Sequence, residues 1–408
     1  MTTLPISRLL DKTTPPHILT LTVLAGISAL NMSIFLPSLD SMASYFGTDY
    51  GVMQYALSGY LAATAVAQLF VGPISDRYGR RPVVIATTAG FLAATCGAMM
   101  SQTVEWFLFF RILQATIASA FVMSRAAIRD IYPTNESASM LAYVTMGMSI
   151  VPMIGPMIGG VLEITFGWQA SFALLAALGA GVLWLTYQDM GETAADGGMS
   201  LRDQVKTYPE LARSVRFWGY VACTTFASGT YFSLLGGSSF VARSVFELSP
   251  VWAGIGLGAP AAGYFLGNWI SGRYSKSVGI NAMALYGTVV AAVGMGLSLA
   301  LHLVGLSHPV LFFGLCTLLG LGNGMTMPNA VAGSMSVRPQ LAGTASGLGG
   351  AIMISGGALL SAFGANMLSS GNSELPLQAL MFATAMLSLA SMIIVIRRDR
   401  TMSDDLPL

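Results

Sequence analysis

Runs of about twenty mostly apolar residues recur along nearly the whole chain, and each is long enough to cross a hydrocarbon layer roughly 30 Å thick as a helix. Twelve can be marked. They lie at about 17–37, 50–72, 82–101, 106–128, 138–162 and 168–187, then 216–240, 250–272, 280–304, 309–331, 341–364 and 376–396. Strands of a membrane barrel would alternate apolar and polar over about ten residues, and these runs do not. Charged residues make up 9% of the 408, against about a quarter in soluble domains. The apolar runs leave no room for a separate water-soluble domain. The first run is too long for a typical signal-peptide core and shows no convincing small-residue cleavage site, so it reads as a retained span.

The charges test the count independently. With twelve spans, the N-terminus and every even-numbered connection share one side. Of the 19 basic residues, only Arg111, inside a span, and Arg243, in an opposite loop, fall elsewhere. One span more or fewer would scatter the set. The positive-inside bias therefore predicts an all-α membrane protein with both termini cytoplasmic. The longest connection, 188–215, divides the spans six and six, so the chain reads as a bundle over 1–187, a cytoplasmic linker over 188–215 and a second bundle over 216–408.

Little is present from which to build a catalytic centre. Cys96, Cys223 and Cys316 sit in apolar runs without metal-ligand spacing, and His17, His302 and His308 lie at span ends or in a loop. Gly-x-x-x-x-Gly-Lys-[Ser/Thr] is absent, which excludes a P-loop ATP pump. The expectation is a protein that is not an enzyme, with no cofactor, no metal and no nucleic-acid partner.

Where the second run stops, the chain reads Gly72-Pro-Ile-Ser-Asp-Arg-Tyr-Gly-Arg-Arg-Pro82. Ile74-Ser75-Asp76-Arg77-Tyr78-Gly79-Arg80 reappears as Ile270-Ser271-Gly272-Arg273-Tyr274-Ser275-Lys276, 196 residues on. Both copies fall between the second and third spans of their half, which points to a duplication. Parallel six-span repeats build many secondary transporters, with the substrate site between halves near the bilayer midplane.

These residues resemble the major facilitator superfamily. Gly72-x-x-x-Asp76-Arg77-x-Gly79-Arg80-Arg81 is similar to its loop motif, and Arg111-x-x-Gln114 to its fourth-span motif. Pro152-x-x-Gly155-Pro156-x-x-Gly159-Gly160 resembles the fifth-span signature of the drug:proton antiporter branch. Leu36-Pro37-Ser38-Leu39, Phe246-x-Leu248-Ser249-Pro250 and Pro328-Asn329-Ala330 resemble the bicyclomycin/chloramphenicol-resistance (Bcr/CflA-type) exporters. The resemblance implies a transporter of twelve helices in two pseudo-symmetric bundles. It would sit in the bacterial inner membrane and export small organic molecules or drugs by proton antiport with alternating access. Its partners would be the substrate, protons and lipid, and it is expected as a monomer. Two rivals stay open: a metabolite uniporter or proton symporter on the same fold, and a non-transporting membrane sensor.

Within that frame each motif has a physical reading. Arg77, Arg80 and Arg81 orient the loop. Gly72 admits a neighbouring helix closely. Asp76 at a helix end suits the amides of another helix's N-terminus; by resemblance that helix is the eleventh span, beginning near Leu341 to Ala345. Arg129, at the inner end of span four, is the expected charge partner of Asp76, and the pair would latch the gate. Gly272 stands where the first copy has Asp76, so the second copy keeps shape and basic charge without the latch. The span-five residues make either an ordinary close helix contact or a seal against a glycine series in span eight, Gly254 to Gly267.

Arg111 lies roughly 8 Å inside the hydrocarbon boundary at 1.5 Å per residue, where a guanidinium is costly and needs partners. Asn31 and Ser33 are at similar depth. With Phe35, Met146, Phe226, Tyr231, Met327 and Asn329 they make the candidate cavity set. An unpaired Arg111 would favour an anionic or strongly polar substrate. Members of the branch often carry an acid in span one, and this chain has none there; Ala115 also stands where the fourth-span motif has glycine. Asp40 and Glu163, near the outer ends of spans one and five, are the candidate proton carriers; Glu163 reads either as a carboxyl that titrates near Arg111 or as a solvated helix-end carboxylate.

Overall fold

A computed structural model describes residues 7–48, 50–53, 55–149, 151–194, 209, 211–248, 250–368 and 373–404. The linker residues 195–208 and 210, and the side chains of Asp40 and Pro152, lie outside the described set. Among the described residues there is no strand. A bilayer permits this architecture because a helix satisfies its own backbone polar groups.

The first half comprises α1 (Ile18–Ser33), α2 (Leu39–Phe46), α3 (Tyr50–Met53), α4 (Tyr55–Tyr78), α5 (Arg80–Met99), α6 (Val104–Leu113), α7 (Ala118–Ile131), α8 (Thr134–Ser149), α9 (Val151–Phe166) and α10 (Gln169–Asp189). The second comprises α11 (Val215–Phe240), α12 (Pro250–Val278), α13 (Ile280–Leu303), α14 (Pro309–Ser336), α15 (Ala342–Leu368) and α16 (Leu375–Asp404). Among the described residues, every one of the apolar runs read from the sequence is mostly helical.

Among the described residues, nine helical stretches are long and apolar enough to cross a membrane by themselves. The remaining runs are those of α8–α9, where Ile154–Phe166 is apolar but shorter, and of α11 and α12, which are diluted by glycine and hydroxyl residues. In α11 the hydroxyls of Thr224, Thr230 and Ser233 donate to carbonyls three or four residues back, so they do not expose unpaired polar groups.

The chain forms two compact units. One holds Met1–Tyr132, Gly147–Thr207 and Arg338–Ala351; the other holds Pro133–Met146, Tyr208–Val337 and Ile352–Leu408. Each unit therefore includes one short segment from the opposite sequence half. In the first unit, rings from α2, α6 and α10 gather around Trp168, just before α10, which stands edge-on to Phe172 at 5.6 Å and to Phe107 at 5.8 Å and lies 5.5 Å from Phe46. In the second, α12 and α14 meet through glycines. A Cβ at Gly263 or Gly267 would strike the backbone of Thr317 or Leu321, and one at Gly320 or Gly324 the backbone of Pro260 or Tyr264. Small residues give membrane helices the close approach that hydrophobicity alone cannot supply.

Span four is interrupted. Between α6 and α7 the backbone tightens into a 3-10 turn over Gln114–Ile117, and the Ile117 carbonyl accepts the Ser28 hydroxyl of α1 at 2.8 Å. This tightening begins three residues after Arg111.

A candidate gate and a buried cation

The chain reverses between α4 and α5 at Gly79, which has φ +95°. That conformation is cheap only for glycine, and a Cβ there would also meet the Glu192 carboxylate. Glu192 accepts the amide of Arg80 at 2.8 Å and that of Arg81 at 3.3 Å. It thus supplies α5 with the acidic cap its own sequence lacks.

Asp76, in the last turn of α4, is 7% exposed. Its Oδ1 accepts the Gly343 amide at 3.2 Å, and its Oδ2 accepts the amide and hydroxyl of Thr344 at 3.0 and 2.9 Å. One carboxylate thereby satisfies orphan donors at the start of α15. Gly72 lies one turn back, where any Cβ would collide with the Gly343 and Thr344 backbone. Only glycine allows the two helices to meet so closely.

The cation on Asp76 is Arg80, not Arg129 as the sequence suggested. Arg80 opens α5 directly after the Gly79 turn, so its guanidinium folds back beneath α4. It also donates to Ser75 Oγ at 2.7 Å and to Asp130 Oδ2 at 3.1 Å. Arg129 instead donates to the Tyr132 carbonyl at 3.4 Å. Arg81 reaches the Tyr187 carbonyl at 3.0 Å, and Arg77 lies exposed beside the Tyr78 ring. Neither Glu192 nor Asp130 was assigned to this site from sequence. The only signal was an acid at each neighbouring span's inner end.

The second heptad copy is not in a loop. Ile270–Lys276 lies wholly within α12, which continues to Val278 before turning at Gly279, φ +89°. The turn glycines are 200 residues apart while the repeated letters are 196 apart, so the matched letters are offset from the matched turns by four residues.

Arg111 is fully buried in the first unit. Its Nε donates to the Ala56 carbonyl at 3.0 Å, Nη1 to Asn31 Oδ1 at 2.7 Å and Gln114 Oε1 at 2.6 Å, and Nη2 to the Asn31 carbonyl at 2.8 Å. Phe35 and Tyr60 lie against the guanidinium with centroids at 4.2 and 4.5 Å. Gln114 passes the network on to Thr95 at 2.8 Å. The cation is thus held by neutral oxygens and ring faces, which disperse charge without cancelling it. No carboxylate is among these partners, so the guanidinium keeps its net charge. Glu163 is absent from its partners, and one oxygen of Glu163 is enclosed without a hydrogen-bond partner.

The span-five glycines admit α1. A Cβ on Gly159 would strike the Ile34 carbonyl, and one on Gly155 would meet Ser33 Oγ at 2.7 Å. Around Gly160 the nearest atom is Pro37 Cβ at 3.9 Å. Span one lies against these faces, because the chain bends into a 3-10 turn at Leu36–Ser38 and brings its backbone beneath α9. Pro156 lies inside α9.

The remaining cavity candidates divide between the units. Ser33 donates to the Ala29 carbonyl at 3.2 Å. In the second unit Asn329 donates to Ser271 Oγ at 2.8 Å, and Phe226, Tyr231, Met327 and Met146 are half-buried.

Comparison with known proteins adds an independent line. A family model described as Major Facilitator Superfamily matches residues 21–362. The chain is 27% identical over 372 residues to Multidrug resistance protein D of Escherichia coli (strain K12), covering 88% of this chain and 91% of that one. It is 24% identical over 363 residues to a Bicyclomycin resistance protein homolog of Haemophilus influenzae, covering 88% and 90%. It is 32% identical over 209 residues to a Chloramphenicol resistance protein of Pseudomonas aeruginosa, covering 50% and 49%. Among solved structures, the human organic anion transporter MFSD10 superposes with TM-score 0.68 and 18% identity, covering 93% of this chain and 98% of that one; this likeness carries the fold alone.

Proposed function

This chain belongs to the Major Facilitator Superfamily, and we propose that it exports small organic molecules, antibiotics among them, from the bacterial cytoplasm in exchange for protons. The observation that carries this reading is its alignment over about nine tenths of their length with relatives named for multidrug and bicyclomycin resistance.

The working bodies in this reading are the bundles 1–187 and 216–408, joined by the linker 188–215, with both termini at the cytoplasmic face and the chain acting as a monomer. Asp76 belongs to one sequence half and Thr344 to the other, so their clasp holds the cytoplasmic mouth shut until it is released. Release exchanges charge-assisted hydrogen bonds for water, a modest net cost that substrate and proton binding can offset. Arg111 gives the first bundle a fixed positive charge. Asp40 and Glu163 are the proposed proton carriers, and the enclosed, unpartnered oxygen of Glu163 supports its place in that pair. The substrate would contact some of Asn31, Ser33, Phe35, Met146, Phe226, Tyr231, Met327 and Asn329 as the bundles rock.

The test is transport by purified protein in proteoliposomes under an imposed pH gradient, with anionic, neutral and cationic compounds in parallel. Antiport predicts that substrate moving one way drives protons the other. Movement of substrate and protons together would identify a symporter. Movement indifferent to the gradient would identify a uniporter, and no movement at all would leave the sensor reading.

A further inference from the structure

The chain ahead of α1 closes into a hook. The Arg8 amide donates to Thr14 Oγ1 at 3.1 Å, and the Thr14 amide to the Asp11 carbonyl at 3.0 Å. Asp189, the last residue of α10 and fully buried, holds its base. Oδ1 of Asp189 accepts the Leu10 amide at 2.6 Å, and Oδ2 the His17 amide at 2.9 Å. A Cβ on Gly191 would strike the carbonyls of Thr14 and Lys12, so the hook is pressed against the end of α10.

This hold forces a costly conformation on a leucine. Leu10 has φ +63°, in the left-handed region where a branched side chain is strained. Such strain persists only where the surroundings over-determine it, and it recurs at ligand clamps and switch regions. Here it accompanies outward display. Leu9 and Leu10 are 46% and 50% exposed, between Arg8 and Lys12, which are exposed as well. A hook that served packing alone would bury its leucines.

The helix to which the hook is fastened marks its depth. Trp184 and Tyr187, three residues apart on one face of α10, are both exposed. Amphipathic rings of this kind settle at the level of lipid headgroups. Asp189 follows two residues later, about 3 Å along the axis. Arg81 adds a cation 5.5 Å from the centroid of the Tyr187 ring. The nearby acids are engaged elsewhere: Asp11 accepts the Thr13 amide at 3.1 Å, and Glu192 accepts the first amides of α5.

We propose that this hook is a docking surface for anionic lipid of the cytoplasmic leaflet. Leu9 and Leu10 enter the boundary between headgroups and acyl chains, while Arg8 and Lys12 hold lipid phosphates. The inference rests on the cytoplasmic placement of the N-terminus proposed above. Because Asp189 ends α10 and His17 caps α1, the seat ties both helices to the membrane surface at one point.

The test uses the full chain in vesicles, with Cys96, Cys223 and Cys316 replaced by alanine. Thr13→Cys, at an exposed position of the hook, carries a fluorophore. Lipid with a nitroxide near its headgroup and iodide in the water compete to quench it. In vesicles of phosphatidylglycerol and phosphatidylethanolamine the nitroxide should dominate. Arg8→Gln and Lys12→Gln should each shift the balance towards iodide about fivefold, the attraction expected of one basic residue at an anionic surface. Replacing phosphatidylglycerol by phosphatidylcholine should shift it further. Leu10→Gly keeps the turn, since glycine adopts that φ freely. It should favour iodide without lowering the thermal midpoint in detergent.

A balance that ignores lipid charge and both basic residues would overturn the docking surface. So would an equal response to inorganic phosphate added to phosphatidylcholine vesicles. The side is read separately, by reacting Thr13→Cys with an impermeant maleimide in inverted and right-side-out membrane vesicles. Reaction confined to right-side-out vesicles would overturn the topology, and the cytoplasmic leaflet with it. A hook that reacts from the inner side yet shows no nitroxide quenching would overturn the docking alone.

Discussion

Asp76 and Thr344 are 268 positions apart in sequence, yet one carboxylate oxygen of Asp76 accepts both the amide and the hydroxyl of Thr344. Asparagine is nearly the same shape but carries no charge and presents one oxygen rather than two. Asp76→Asn should therefore lose charge-assisted bonds to α15 and to Arg80 together, each worth about 1.5–3 kcal/mol. The expected outcome is at least a tenfold fall in transport, since about 1.4 kcal/mol is a factor of ten. Export at the parent rate would remove the gate assignment.

Arg111 should not tolerate lysine. Its planar fork serves Ala56, Asn31 and Gln114 at once, and an ammonium group cannot reproduce that geometry. Arg111→Lys is expected to strand at least one buried acceptor, at about 1–3 kcal/mol, and to lower the thermal midpoint in detergent. Arg111→Met, which keeps length without charge, separates packing from function. It should fold but not transport if the charge takes part in the cycle.

Adjacent glycines in α9 should behave differently. Gly159→Ala drives a methyl group into the Ile34 carbonyl, whereas Gly160→Ala enters ordinary contact distance of Pro37. Overpacking of the first kind costs about 1–3 kcal/mol, and the second should stay within about 0.5 kcal/mol. Thermal unfolding of the two variants side by side checks this. Equal effects would mean that α1 is not seated as described.

The end of α13 should respond to acid. Glu374, just before α16, accepts the Ser307 hydroxyl and lies 2.8 Å from His302 Nδ1. Burial pushes its carboxyl up, but the hydrogen bonds from Ser307, its own amide and His302 outweigh that and leave it below the usual value. A carboxyl lowered on folding contributes stability above its unfolded pKa, about 4.3. That stability is lost as pH falls through the folded value. Glu374→Gln should destabilise the protein at neutral pH and flatten its loss of stability between about pH 5 and 3. A parallel fall in both chains would show that this cluster does not titrate as described.

The spans were legible because length and apolarity are enough to specify a helix in lipid, and Asp76 was legible because an acid beside a glycine at a span end has few other uses. The place of Arg80 was hidden because the apolar run of the third span starts only at Pro82, which puts Arg80 in a loop. Once α5 starts at Arg80, that side chain points back under α4 and outcompetes Arg129. The second heptad misled for a related reason. Four residues are about one helical turn, so letters matched at 196 kept their face while the bend had moved on to Gly279. The role of Glu192 was out of reach, because a cap delivered from the end of α10 leaves no periodic trace.

The shell of Arg111 has one more implication, for how freely its surroundings can drift. Two of its oxygens, those of Asn31 and Ala56, are peptide carbonyls, which are present whatever amino acid occupies those sites. Ala56 can therefore be replaced by any residue that fits, without touching the guanidinium's anchorage. What inheritance must guard are side chains: the amides of Asn31 and Gln114, whose oxygens accept from Arg111 and the second of which ties it onward to Thr95, and the rings of Phe35 and Tyr60.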